Sequence, residues 1–207
     1  MRKQPCLFPA MMRAGNIFAN LQRSIDVNGL RGNVMSTADE FFSEPGNRNK
    51  FPGIKAVLNT WNNARGDYFA PRWSASLMMA FPTEIISNCS VLDVMPEGPE
   101  FVFCFWGTRA ANVTRQEMTG KSIWDIRPRA LAEIAYRDVC EVISQREPLL
   151  FENYLKDTIG LEGVIGSCRI PFSSDGSTID KIMNVVEGVP SVLAAFSDEM
   201  KKRTGEP

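Results

Sequence analysis

Phe101-Val102-Phe103-Cys104-Phe105-Trp106 is the most strand-like stretch of the chain. Aromatic and β-branched residues favour a pleated backbone, and nothing here breaks one. Strict alternation puts Phe101, Phe103 and Phe105 on one face and Val102, Cys104 and Trp106 on the other. Both faces are then apolar. An antiparallel strand with one wet face would alternate apolar with polar. This strand is therefore expected to be central in a sheet covered on both sides, or covered on one side and lining a cavity or subunit contact on the other.

Working outward, Ser90–Met95 is a second strand candidate, joined to the first through the turn Pro96-Glu97-Gly98-Pro99. Gly107-Thr108-Arg109 ends the aromatic strand. Short helical and loop segments run on to Ile126. The longest helix is predicted from Arg127 to Arg146, with Asp125 as its cap and Pro128 in its first turn. Ala132, Ala135, Tyr136, Val139, Val142 and Ile143 form its apolar stripe. Three strands follow, at Leu149–Asp157, Val164–Phe172 and Thr178–Glu187, the last two joined by a hairpin at Asp175-Gly176. Residues 191–200 could make one short helix. The expected class is α+β: a five-stranded antiparallel sheet whose helices group between strands two and three.

Before this block, Ile54, Val57, Leu58 and Trp61 mark one stripe of a flanking helix with Pro52 at its start and Gly66 at its end. A packing role is expected for Trp61. Residues 43–50, Ser-Glu-Pro-Gly-Asn-Arg-Asn-Lys, read as a polar linker. Residues 1–34 carry five basic side chains and one acidic one, a net of +4 that leaves −5 for the rest. Met35-Ser36-Thr37-Ala38 looks like an ordinary start, so translation is expected to begin there. The rival reading is a basic arm that touches anionic membrane or nucleic acid. The division is then 1–50 extension and linker, 51–188 main domain, 189–207 short helix and tail.

Composition narrows the chemistry. The chain has 207 residues, a net charge of −1 and no histidine. Without histidine there is no Ser-His or Cys-His pair, no imidazole ligand to metal or haem, and no histidine phosphoacceptor. The cysteines Cys6, Cys89, Cys104, Cys140 and Cys168 are scattered and make no CxxC pattern, as in a reducing compartment. Gly120-Lys121-Ser122 resembles the end of a phosphate loop, but Arg115 stands where that loop needs glycine. The carboxylate pairs Glu97/Glu100 and Asp175/Asp180 read as solvated turns. Cys104, set between Phe103 and Phe105, reads as a buried, inert thiol. No run approaches the roughly 20 apolar residues of a membrane span, and the short N-terminal run is broken by Pro9. A cytoplasmic chain with no catalytic residue, no metal site and no nucleic-acid partner is the expectation.

The motifs resemble a bacterial family of stand-alone PAS proteins. They stand here as Trp61, Pro71-Arg72, Leu92-Asp93-Val94, Trp106-Gly107-Thr108, Met118-Thr119-Gly120-Lys121, Arg169-Ile170-Pro171-Phe172 and Asp175-Gly176. The resemblance covers about 140 residues, and its specificity lies in the order and spacing of the elements. It implies a sensor or protein-interaction domain whose sheet curves around small helices to leave a pocket. Trp106, Cys104 and Tyr136 are the lining candidates, with Arg109 as a charge. The family often has arginine where this chain has Cys104, which puts an anionic ligand at that position in doubt. No cofactor is named. The implied partners are a small molecule, a second copy through the 51–65 helix or the sheet, or another protein. The alternative is a dimerisation or scaffold module with a filled core and no ligand.

Overall fold

Along the strands, alternate apolar positions serve two separate cores, one on each face of a single sheet. The computed structural model describes residues 30–95, 100–156 and 162–188, with Leu193, Ala194 and Asp198. The elements in chain order are β1 (Leu30–Thr37), α1 (Ala38–Ser43), α2 (Pro52–Arg65), α3 (Ala75–Met79), α4 (Thr83–Ile86), β2 (Cys89–Val94) and β3 (Phe101–Trp106). They continue with α5 (Thr108–Thr114), a 3-10 turn (Ile123–Asp125), α6 (Arg129–Gln145), β4 (Leu149–Lys156), β5 (Glu162–Phe172) and β6 (Lys181–Gly188). The sheet order is β1-β4-β5-β6-β2-β3, with every neighbouring pair antiparallel.

The sheet therefore has six strands, not the expected five. The extra strand, β1, and the helix after it come from residues assigned to the extension, and β1 runs straight across Met35. The two strands before the helical middle and the three after it lie close to their expected positions. The expected helix over 191–200 falls almost wholly outside the described residues.

One face of the sheet is covered by α1 to α4. Cys89, Val91, Leu150, Cys168, Ile170, Phe172, Met183 and Val185 meet Phe41, Ile54, Val57, Leu58 and Trp61 there. The flanking helix is fastened at both ends. Glu187 of β6 accepts from the Gly53 amide at 3.1 Å and the Ile54 amide at 2.8 Å, so a carboxylate satisfies free donors of the first turn of α2. Near the other end the Trp61 indole donates to the Pro171 carbonyl at 2.8 Å. Trp61 is thus a packing residue with its polar atom satisfied. The opposite face of the sheet meets the 3-10 turn and α6, with Leu92, Phe101, Phe103, Leu149, Phe151 and Ile182 packed on Ile123, Ala132, Val139 and Val142. The expectation of a central strand covered on both sides fails for β3, which lies at the sheet's edge, with Phe101 and Phe103 buried on the α6 side and Cys104 exposed.

Its alternation does not hold. Val91 pairs with Phe105 while its neighbour Leu92 pairs with Phe103, which leaves Cys104 as the extra residue of a β-bulge. Past the bulge the faces exchange. Phe101 and Phe103 belong to the α6 side, Phe105 packs with the other core, and Trp106 turns to the α6 side.

Two local expectations are also corrected. Asp125 does not cap the long helix; it accepts from the Ser122 amide at 3.0 Å and closes a capping box on the 3-10 turn. Asp175-Gly176 does lie in a hairpin between the antiparallel strands β5 and β6, but the connection is longer than a tight turn, since β5 ends at Phe172 and β6 begins at Lys181. The Asp175 carboxylate instead gathers the amides of Ser177 and Thr178, each at 2.7 Å.

Gly107 of the Trp-Gly-Thr motif has a steric cause. A Cβ placed there would lie 2.3 Å from the Ser87 carbonyl oxygen and 2.9 Å from that of Cys89. The Gly107 amide donates to Cys89 at 2.8 Å, so the two backbones are already in contact. Gly107→Ala should lower stability by about 1–3 kcal/mol, since the obstruction is backbone and cannot rotate away. Chemical denaturation would measure it, and an unchanged midpoint would contradict the packing.

Candidate ligand-binding site

The α6 face of the sheet carries a row of polar side chains where an apolar surface would be the simplest solution. Cross-strand register sets it. Trp106 of β3 lies opposite Ser90 of β2, Ser90 opposite Asn184 of β6, and Asn184 opposite Arg169 of β5. Residues directly opposite share a face, so the four form one line across four strands. Ser90 and Arg169 are buried. From the strand position next to this line on the same face, Ser167 donates its hydroxyl to the Asn184 side-chain oxygen at 2.7 Å.

Asp138 closes over the row from α6, itself 3% exposed. It accepts from Arg169 Nη2 at 3.3 Å and from Arg137 Nη2 at 3.1 Å. Burial pushes the Asp138 carboxyl up from its ordinary range, while Arg169 and then Arg137 pull the other way. The Arg169 guanidinium also stands over the Phe151 ring at 5.8 Å. Two buried donors in the row meet no protein acceptor among the described residues: Trp106 Nε1 and Arg169 Nε. A buried donor left unpaired costs about 1–3 kcal/mol. Both donors lie on one face of the sheet, among further polar groups.

The four residues singled out from sequence do not converge. Trp106 and Tyr136 both belong to the α6-side cluster. Trp106 meets Phe103 edge-on at 4.7 Å, while Tyr136 stacks on Trp124 at 4.6 Å and leans on Phe101 at 5.4 Å. Arg109 is exposed on α5. Cys104 is exposed, not buried as its neighbours imply, and its sulfur lies 3.8 Å from Lys181 Nζ. Lys181 is paired with Asp93. Both belong to the strand parity of Val91 and Met183, so Cys104 looks away from Trp106. Partial burial, then Asp93, raise the Cys104 thiol from its ordinary value, and Lys181 opposes them. An open groove of about 410 Å³ near this cluster is lined by Arg72, Trp73, Asp93, Asp180 and Lys181, among others. Its charges are largely taken up, since Asp180 accepts from the Ser174 amide at 2.8 Å.

Exposure orders the thiols. Burial pushes Cys89 up to about 12 and Cys168 higher still, and Cys140 is also buried. Among these four described cysteines, iodoacetamide on the native protein should alkylate Cys104 first, by at least tenfold in rate. Peptide mapping reads this directly, and equal labelling of Cys89 would contradict the buried assignment.

Sequence reasoning missed Asp138, Arg169, Ser90 and Asn184. A signal existed for one of them. Arg169 is a single charge inside the apolar run of β5, where a cation needs a buried partner.

No family model and no curated protein matches the chain. A solved structure described as that of an RNA-binding light-oxygen-voltage receptor aligns at 8% identity and a TM-score of 0.42, covering 84% of this chain and 42% of that one. This chain thus spans well under two thirds of that receptor's length. Among the described residues, no helix is long and apolar enough to cross a membrane. The chain is a mixed protein of helices and one antiparallel sheet.

Proposed function

We propose that this chain is a PAS-type sensory domain that holds a small molecule between its sheet and α6 and passes the change on by protein contact. The observation that carries the reading is the polar row with its two buried, unpartnered donors. The order of two strands, a helical middle and three strands supports it, as does the set of motifs that resembles the PAS family. The fastening of α2 to β6 through Glu187 gives a strained or shifted sheet a direct mechanical route to the flanking helix. A dimer through α2 has to use its outer face, because Ile54, Val57, Leu58 and Trp61 are already buried against the protein's own sheet.

The test is to extract the natively purified, full-length protein and identify any bound small molecule by mass spectrometry, then add it back in thermal unfolding. A ligand at a hundredfold excess over its dissociation constant adds about 2.7 kcal/mol. A protein that releases nothing and is stabilised by no compound of a broad metabolite panel is a scaffold module instead.

A further inference from the structure

We propose that the ligand is a small carboxylic acid whose carboxylate is received by Arg169 in competition with Asp138. This rests on the sensory reading above and narrows it to a ligand class. The guanidinium has a side edge formed by Nε and Nη2, and a carboxylate fits that edge with two parallel hydrogen bonds. Asp138 takes only Nη2, at 3.3 Å. That is longer than the roughly 2.7–2.9 Å of a well-made charged pair. Nε is buried and unpartnered. The arginine is therefore half-used on the edge that suits an acid best, and its own carboxylate partner has a second cation in Arg137 to fall back on.

An acid seated on Nε and Nη2 displaces Asp138 from Arg169. Asp138 is the ion-pair link between α6 and β5, so occupancy of the site loosens α6 from the sheet. The second free donor gives the acid a length. Trp106 and Arg169 are three strand-to-strand steps apart in the row, about 14 Å across the sheet. A molecule with an acid at one end and an acceptor at the other engages both; a compact anion such as inorganic phosphate engages one.

The experiment is calorimetric titration of the full chain, freed of any bound molecule, with adipate, suberate and sebacate. Each is compared with its uncharged diamide, and inorganic phosphate is added as a further ligand. At least one diacid should bind at least tenfold tighter than its diamide and than phosphate. Arg169→Gln should weaken that diacid at least tenfold, and Trp106→Phe about threefold or more. Asp138→Asn should tighten it severalfold, because the competitor for Nη2 is weakened. A merely structural role for Asp138 predicts the opposite sign. If Arg169→Gln fails to fold, the pair Arg169→Gln with Asp138→Asn leaves no Arg169–Asp138 charge buried and replaces it in the comparison. Equal binding of acid and diamide, no binding of any diacid, or weaker binding in Asp138→Asn each overturns the proposal. The sensory reading stands or falls separately, on whether the purified protein carries or is stabilised by any small molecule, charged or not.

Discussion

Replacing Arg169 alone by methionine is expected to destabilise the protein by about 3–5 kcal/mol. Arg169 is 8% exposed and Asp138 is 3% exposed, so the variant leaves a carboxylate buried with one countercharge removed. Arg137 remains at 3.1 Å, but its side chain is 40% exposed and spends part of its charge on solvent. That places the effect toward the lower end of the range. The informative comparison is Arg169→Met combined with Asp138→Leu. Removing both charges removes both desolvation penalties, and such replacements of buried pairs are often neutral or stabilising. The double variant should therefore recover most of the loss. Urea unfolding followed by tryptophan fluorescence measures all three proteins. A single-variant loss under about 1 kcal/mol would mean that the pair is solvated.

Phe101→Ala is expected to cost about 3–5 kcal/mol through a different cause. Phe101 is fully buried on the α6 side, and its ring leans on Tyr136, which in turn stacks on Trp124. Truncation leaves a cavity between β3 and α6 that the rigid sheet cannot close. Phe101→Leu keeps most of the volume and should cost much less, so the ratio of the two losses separates cavity formation from the loss of ring contacts. Equal losses for both variants would point to the aromatic stack instead.

These two sites differ in how far the sequence revealed them. Phe101 lies in a six-residue run with no competing interpretation, and the same holds for the α6 stripe, where Ala132, Val139 and Val142 are all fully buried. Periodicity found these because burial follows the pitch of each element. It failed on Cys104 because both faces of β3 are apolar. An inserted residue breaks no visible pattern when either parity looks buried. Arg169 and Asp138 are 31 positions apart, and their pairing is a property of how α6 lies on the sheet, which no local window contains. β1 was missed for a similar reason. Leu30-Arg31-Gly32-Asn33-Val34-Met35-Ser36-Thr37 has little strand propensity, and its conformation comes from pairing with β4.

That pairing bears on how the protein meets other copies of itself. Without β1, the outer backbone groups of β4 would form an open ladder eight residues long. Such a ladder templates the addition of a foreign strand and is where aggregation and strand exchange begin. Leu30 is registered with Leu155 and Thr37 with Leu149, so β1 shields most of that ladder, with one irregularity between Arg31 and Val34. A product starting at Met35 would keep only the Met35–Thr37 end of this shield. The segment that looked dispensable in the sequence moves the sheet's edge from β4 to β1, where the irregularity between Arg31 and Val34 interrupts the ladder.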